Sequence, residues 1–126
     1  MRIAFAVFLF VHGFAHIVGF LTTTGIVEDE NTSAVPSLVL SDLDPKGWPL
    51  RLFGLVWLLT AVGFAIAGVG VLQEADWALS AVIVATATST VLSLIWVKEA
   101  PFGMVANVIV IGALVVPAIR DRVIPG

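Results

Sequence analysis

The chain has 126 residues, of which 60% are hydrophobic and only 12% are charged, and its formal net charge is −3. Soluble domains are typically about half apolar and about one quarter charged, so this composition predicts a protein that is solvated by lipid. The chain has no cysteine, which excludes disulfides and thiolate metal sites, and no basic block that would favour nucleic acid.

Four apolar runs that contain no Asp, Glu, Lys or Arg follow one another along the chain. They cover residues 3–21, 52–72, 77–97 and 102–119. A helix needs about 20 apolar residues to cross a hydrocarbon core of about 30 Å, and lipid requires each spanning segment to pair its own backbone polar groups. The sequence therefore predicts an all-α fold with four membrane helices, in a single integral membrane domain over residues 1–126.

The links between these runs predict how the helices are arranged. The first link, residues 22–51, is long and polar, whereas the links at 73–76 and 98–101 are very short. Short links make consecutive helices antiparallel neighbours, which predicts a membrane-embedded up-down four-helix bundle. Pro117 lies near the end of the fourth run, where it is expected to kink or end the helix.

An even number of crossings places both termini on the same side of a multi-pass protein of the cell membrane. Lysine and arginine divide evenly between the two sides, so the positive-inside rule does not decide the orientation. Most of the acidic residues lie on the side opposite the termini. We therefore expect cytoplasmic termini and an outward acidic link.

Polar side chains are sparse inside the runs, and several of them fall at a common depth. His12 and His16 are four residues apart and share one side of the first helix. His16, Ser93 and Asn107 each lie a few residues from the loop-side end of their helix, about 6–8 Å below the surface at about 1.5 Å per residue. Glu99 is in the link just above them. The sequence predicts one polar pocket that contains all five side chains.

Two interpretations of this pocket stay open. Polar side chains inside membrane helices often hold helices together by hydrogen bonds, which would make the pocket a structural clamp. Intramembrane ionisable groups are also candidates for function, and His12, His16 and Glu99 would form a two-histidine, one-carboxylate set that suits iron, zinc or manganese. The pair lacks the glutamate of H-E-x-x-H. Two histidines on one helix face also cannot ligate opposite sides of a haem within one chain.

Three segments resemble a family of small bacterial four-helix membrane proteins. They are HGFAHIVGF (12–20), GLVWLLTAVGFAIAG (54–68) and EAPFGMVANVIVI (99–111), similar to H-G-x-x-H-x-x-G-F, G-x-x-W-L-x-x-A and an acidic residue before A-x-F-G-x-x-A-N. The resemblance implies an integral membrane protein and lends no activity, because the family is largely uncharacterised. The chain departs from the pattern at Pro101 and in the acidic 73–76 link, where the family has basic residues.

No complete catalytic set is present, since there is no G-x-S-x-G elbow and no acid beside either histidine. We therefore predict no catalytic residue, do not favour an enzyme, and identify no cofactor. The leading hypothesis is a small accessory or scaffold membrane subunit that binds a lipid, a small molecule or a protein partner through its bundle, or that forms a homo-oligomer. The alternative is a metal- or ion-binding membrane protein, such as a small transporter or a membrane oxidoreductase, that uses the histidine pair.

Overall fold

A computed structural model of the chain describes residues 1–27 and 34–124, which form five α-helices and no strand. The helices are α1 (Arg2–Thr23), α2 (Trp48–Gln73), α3 (Ala78–Ile95), α4 (Pro101–Val115) and α5 (Pro117–Val123). The fold is all-α, as predicted. The acidic residues at positions 28–30 of the predicted polar link lie outside the described residues.

The second helix begins before the apolar run 52–72 does. It starts at Trp48, directly after Gly47, whose backbone is extended at φ −74° and ψ 157°. Pro49 lies in the first turn, where its missing N–H would have no helical partner and its fixed φ already suits the helix. The turn that precedes α2 therefore ends at Gly47, and α2 is a turn longer than its uncharged apolar run.

The fourth apolar run, predicted as one helix over 102–119, is broken near its end. Its first part, α4, ends at Val115, and Val116 is extended at φ −93° and ψ 104°. Because Pro117 lacks a backbone N–H and disfavours helical geometry at the residue before it, α5 starts again at Pro117 and bends away by 99°. With 15 residues, α4 alone extends only about 22 Å.

Helices α1, α2 and α3 are each long and apolar enough to cross a membrane, and α4 with α5 meets the same test only as one bent span. The outward surfaces of these helices are also strongly apolar. Phe14 on α1 is 71% exposed and Phe102 on α4 is 85% exposed. Large contiguous apolar surfaces are rare on soluble monomers. The three to four apolar helices are therefore compatible with a multi-pass membrane protein.

The most extensive helix contact is between α1 and α2, and glycines allow it to be close. A Cβ atom added at Gly13 would lie 2.8 Å from the Cβ of Phe64, and one added at Gly19 would overlap the indole ring of Trp57. Small residues let membrane helices approach closely and gain van der Waals contact. The two glycines thus bring the histidine-bearing helix against α2.

Contacts between helix ends and links define the two ends of the molecule. One end of the molecule carries the N-terminus, and we call it the terminal end. There, Arg2 forms an ion pair with Glu74, so the start of α1 lies beside the end of α2. At the loop end, the backbone N–H of Ser37 donates to Oε1 of Glu99 at 3.0 Å. The indole N–H of Trp96, also at this end, donates to the carbonyl oxygen of Ala34 at 3.1 Å.

The buried apolar side chains form two clusters. The larger one lies toward the terminal end and is built on Leu9, Phe64, Val71, Val82 and Val110, together with Val123 and Ile124, which follow the bend. The smaller one lies toward the loop end and contains Leu50, Trp57, Leu92 and Trp96. Polar side chains occupy the level between the two clusters, where the candidate site is found.

Candidate functional site

The two histidines of α1 point into the protein and are almost completely buried, at 5% and 2% exposure for His12 and His16. They share the inward face of the helix because they are four residues apart. Nε2 of His12 is 2.9 Å from Oδ1 of Asn107 on α4. Nε2 of His16 is 2.8 Å from Oγ of Ser89 on α3. One helix face of α1 is thereby joined to both α3 and α4.

A second set of contacts closes these bonds into a network. The Ser89 hydroxyl lies 2.9 Å from Oδ1 of Asn107, and the amide Nδ2 of Asn107 donates to Oγ of Ser93 at 3.3 Å. The five side chains, which we call the histidine network, are His12, His16, Ser89, Ser93 and Asn107. All five are buried. Buried polar groups need such partners because an unpaired one costs much of its lost hydration.

The hydrogen positions within this network follow from the chemistry of its atoms. Nδ1 of His16 is 2.9 Å from the carbonyl oxygen of His12, and a carbonyl only accepts, so Nδ1 must carry the proton. In neutral His16, Nε2 then accepts the hydroxyl proton of Ser89. However, Oδ1 of Asn107 also lies 2.9 Å from the same hydroxyl. Ser89 has one proton and faces two acceptors.

Turning the Asn107 amide over resolves this competition without moving any heavy atom of the network. Amide oxygen and nitrogen are assigned from the surrounding hydrogen bonds rather than from shape. After the turn, the two N–H groups of Asn107 donate to His12 Nε2 and Ser89 Oγ, and the Ser93 hydroxyl donates to the amide oxygen. Ser89 is then free to donate to His16. Each contact named above then has one donor, and both histidines are neutral.

Aromatic rings surround the two imidazoles. The ring of Phe64 lies edge-on to His12 with centroids 4.6 Å apart, and the indole of Trp57 is tilted against His16 at 5.2 Å. Both aromatic residues belong to α2, the helix that α1 contacts most closely. The network is therefore connected by hydrogen bonds on its α3–α4 side and enclosed by apolar rings on its α2 side.

A cavity of about 390 Å³ opens between α1 and α4 beside the network. We call it the α1–α4 groove. Its walls are mainly apolar, with Val11 and Val18 from α1 and Phe102 and Ala106 from α4, while His12, His16 and Ser93 lie along its inner side. The lip residues Val11 and Phe102 are 64% and 85% exposed. The groove therefore opens sideways, at the level of the outward apolar surface.

A smaller cavity of about 100 Å³ lies at the loop end, and we call it the Glu99 recess. Thr22, Thr23, Trp57, Trp96 and Glu99 line it, and it shares Ala15, Val18, Trp57 and Ala100 with the α1–α4 groove. Two buried polar atoms in these walls have no hydrogen-bond partner among the described residues, namely Nε1 of Trp57 and Oε2 of Glu99. Both atoms are covered by the surrounding protein atoms.

The environment of Glu99 favours its ionised form. Burial by itself would raise the pKa of this carboxyl, but hydrogen bonds from the Ser37 hydroxyl and backbone N–H, with the positive charge of Lys98, hold the pKa below its ordinary value of 4.5. Glu99 is half-buried, and of its two oxygens only Oε1 receives the backbone hydrogen bond. The carboxyl group of Glu99 is therefore ionised at neutral pH.

The structure brings four of the five predicted pocket residues together. His12, His16, Ser93 and Asn107 belong to one network, while Glu99 lies apart in the recess. Within the described part of the chain, no three His, Asp or Glu side chains lie close enough to hold a metal ion. The predicted ligand set of His12, His16 and Glu99 is thus not assembled, because both histidines use Nε2 for hydrogen bonds inside the network.

Sequence reasoning missed Ser89, the side chain that links the others. It lies four residues before Ser93 and so shares its helix face. This spacing could have placed Ser89 in the predicted pocket. The hydroxyl of the neighbouring Thr90, by contrast, donates to the carbonyl oxygen of Thr86 on its own helix, at 2.7 Å. Nothing in the sequence indicated that Trp57 and Phe64 enclose the two imidazoles, because their positions depend on how α1 packs against α2.

Comparison with known families gives one match. The sequence matches the model of a domain of unknown function (DUF7144) over residues 1–121, which is nearly the whole chain. No curated protein and no solved structure shows significant similarity to it. Function therefore has to be argued from the geometry of the α1–α4 groove, the histidine network and the Glu99 recess.

Proposed function

The chain belongs to the DUF7144 family, and we propose that it is a small accessory protein of the cell membrane that binds a lipid-like molecule in the α1–α4 groove. One observation carries the proposal. The groove is an apolar cavity of about 390 Å³ with polar side chains along its inner side, and its lips lie on the outward apolar surface. Ligand sites are typically concave, mostly apolar and furnished with a few polar groups.

The shape of the groove favours a ligand that arrives from the bilayer. Its opening lies between α1 and α4, which touch each other only sparsely, whereas consecutive helices pack closely. The exposed side chains around it, Val11 and Phe102, are apolar. A water-soluble ligand would have to cross this apolar surface, while an acyl chain or a similar hydrocarbon would enter without losing any hydration.

In this proposal the histidine network is a clamp that keeps the groove in shape. It fixes α4 to α1 through His12 and Asn107, and α3 to α1 through His16 and Ser89. Since α1 and α4 otherwise touch sparsely, these bonds set the distance between the two walls. Hydrogen bonds between polar side chains commonly hold membrane helices together in this way.

We further propose that the helices form an up-down four-helix bundle with cytoplasmic termini, in which α4 and α5 together make the fourth crossing. The Arg2–Glu74 pair and the Ser37–Glu99 contact support antiparallel neighbours, because each joins segments expected at the same end. The orientation is tested by fusing a topology reporter at residue 30 or at the C-terminus. A cytoplasmic signal from residue 30 would reverse the proposed orientation.

The ion-binding alternative has less support, because Nε2 of His12 and of His16 face Asn107 and Ser89 within hydrogen-bond distance. Metal analysis of detergent-purified protein tests it directly, with His16→Ala as the comparison. Stoichiometric metal that disappears in His16→Ala would favour ion binding over a structural clamp.

The groove proposal is tested by filling the groove. Ala106 lines it, whereas Val108 points outward from the same helix and is 61% exposed. We expect Ala106→Trp to lose lipids that co-purify with the wild type in mild detergent, and Val108→Trp to keep them, as measured by native mass spectrometry. Helicity and gel-filtration elution show that both variants are folded. Undiminished lipid on a folded Ala106→Trp would contradict the proposal.

A further inference from the structure

The link between α1 and α2 contains a short apolar stretch in its second half. Residues 34–41 read AVPSLVLS and carry no charge, while acidic residues precede them at positions 28–30 and follow them at Asp42 and Asp44. Eight residues are far fewer than the about 20 that cross a bilayer as a helix, so this stretch is not a span of its own. We call residues 34–41 the apolar strap.

Two hydrogen bonds and one buried side chain hold the first half of the apolar strap against the loop end. The indole N–H of Trp96 donates to the carbonyl oxygen of Ala34 at 3.1 Å, and the backbone N–H of Ser37 donates to Oε1 of Glu99 at 3.0 Å. Between these two bonds, the side chain of Pro36 is fully buried. The strap therefore lies on the short segment that joins α3 to α4.

The second half of the apolar strap turns large apolar side chains outward. Leu38 is 56% exposed and Val39 is 61% exposed, although both follow directly after Ser37, which is held by its hydrogen bond. Beyond the strap, the chain returns to the protein, because Leu43 packs against the loop-end cluster and its N–H donates to the carbonyl oxygen of Leu40. Two adjacent apolar side chains are thus exposed between two points that are fixed to the bundle.

The height of these two side chains relative to a bilayer follows from their distance to Ser37. Consecutive Cα atoms are about 3.8 Å apart, so the Cα atoms of Leu38 and Val39 lie within about 4 and 8 Å of that of Ser37. The polar interface on each side of the hydrocarbon core is about 5 to 8 Å thick. Because Ser37 lies at the ends of apolar helices, neither residue can lie far out in water.

Neighbouring residues mark the same level. Trp48 begins α2 at the loop end and is 72% exposed, and tryptophan is enriched where membranes meet water. Asp42 and Asp44 are exposed directly after the strap, and they keep their charges hydrated if the strap goes no deeper than the interface. The strap also contains no helix or strand, and irregular backbone that faces lipid does not occur inside the hydrocarbon core. These features favour an interfacial position.

We propose that the apolar strap lies in the membrane interface on the loop side and inserts Leu38 and Val39 among the lipids of that leaflet. The partner is the lipid surface around the bundle, and the bonds to Trp96 and Glu99 hold the strap at its height. Insertion removes the two apolar side chains from water, which is favourable. The inference rests on the membrane insertion of the helices, which is part of the proposed function, and needs no ligand in the α1–α4 groove.

The test measures depth in the bilayer with spin labels. The chain has no cysteine, so Leu38→Cys, Val39→Cys, Asp42→Cys and Val108→Cys each give the full-length protein one label, in lipid nanodiscs. Val108 is the reference for lipid, because it points outward from α4, and Asp42 is the reference for water. Relaxation by oxygen, which concentrates in lipid, is divided by relaxation by a water-soluble nickel chelate. We expect this ratio to be several-fold higher at positions 38 and 39 than at position 42.

The two references separate failure of this inference from failure of the membrane proposal. A ratio at positions 38 and 39 as low as at position 42, with a high ratio at Val108, would overturn the inference and leave the membrane helices in place. A low ratio at Val108 as well would overturn both. Because the label is itself apolar, replacing Leu38 or Val39 keeps an apolar group at the position that is measured.

Discussion

Nδ1 of His16 lies 2.9 Å from the carbonyl oxygen of His12, one helical turn earlier in α1. This contact ties the ring of His16 to its own helix and fixes which nitrogen holds the proton, because the carbonyl cannot donate. The other nitrogen, Nε2, is directed at Ser89 on α3. One backbone contact within α1 therefore makes Nε2 of neutral His16 an acceptor for Ser89 on α3.

The first prediction concerns the proton positions of the two histidines. In the arrangement that gives each contact one donor, both imidazoles are neutral and carry the proton on Nδ1. Nitrogen-15 chemical shifts of the imidazole rings at neutral pH distinguish this tautomer from the Nε2–H form. His12→Gln assigns the signals, since it removes one ring. A proton on Nε2 of His12 would show that the Asn107 amide is not turned over.

The second prediction concerns Ser89, which contacts both His16 and Asn107. Ser89→Ala removes one hydroxyl, which leaves Nε2 of His16 without its partner and takes one of two contacts from the Asn107 amide. We therefore expect it to lower the free energy of unfolding by about 1 to 2 kcal/mol. The measurement is unfolding of the detergent-solubilised protein followed by circular dichroism.

Ser80→Ala is the matched control for Ser89→Ala, because it makes the same change on the same helix at an exposed position. It should leave the free energy of unfolding almost unchanged. Equal stability of the two variants would mean that the histidine network does not clamp the helices, and the role given to it beside the α1–α4 groove would have to be withdrawn.

Much of the fold follows from the sequence, because charge-free apolar runs locate helices whenever lipid or a core surrounds them. The break at Pro117 was visible as a kink or an end, but the direction of α5 was not. That direction depends on Val123 and Ile124, which pack in the same cluster as Phe5 and Val71. These partners are distant in sequence, and nothing local in 117–124 indicates them.

The sequence predicted the depth at which the site residues lie along their helices. It did not predict which side of each helix faces the other helices. Rise per residue placed His16, Ser93 and Asn107 at one level, and the structure joins all three to the histidine network. The same reasoning added Glu99, which instead lines the recess at the loop end. Which side of α3 faces α1 is set by packing, and this is why Ser89 was not among the predicted pocket residues.

The third prediction concerns the close contact between α1 and α2. A methyl group added at Gly13 meets the Cβ of Phe64 at 2.8 Å and the carbonyl oxygen of Ala61 at 3.1 Å. Since neither atom can move without shifting a helix, we expect Gly13→Ala to lower the free energy of unfolding by about 1 to 3 kcal/mol. Detergent unfolding followed by circular dichroism measures this value.

Gly112→Ala is the control for Gly13→Ala, because a Cβ at this helical position meets nothing within 4 Å. Alanine is better than glycine in a helix by about 0.5 to 1 kcal/mol, so this variant should be as stable as the wild type or slightly more stable. A stable Gly13→Ala would imply that α1 and α2 do not approach as closely as the structure has them.

The fourth prediction concerns pH and the contact between Glu99 and Ser37. Hydrogen bonds from Ser37 and the charge of Lys98 outweigh burial and hold the pKa of Glu99 below 4.5. A carboxylate with a lowered pKa stabilises the folded state fully above its ordinary value, and this contribution is lost as the pH falls through the lowered pKa. The tether between Glu99 and Ser37 should therefore be intact at pH 5 to 8 and weaken only below pH 4.5.

The backbone amide of Ser37 provides the readout for this titration, because its N–H donates to Oε1 of Glu99. Its proton chemical shift should move upfield as the pH falls through the lowered pKa of Glu99, with a midpoint below 4.5. In Glu99→Gln the same amide should not titrate. A midpoint above 4.5 would show that burial outweighs the Ser37 hydrogen bonds, and the recess would then hold a neutral carboxyl more easily than a carboxylate.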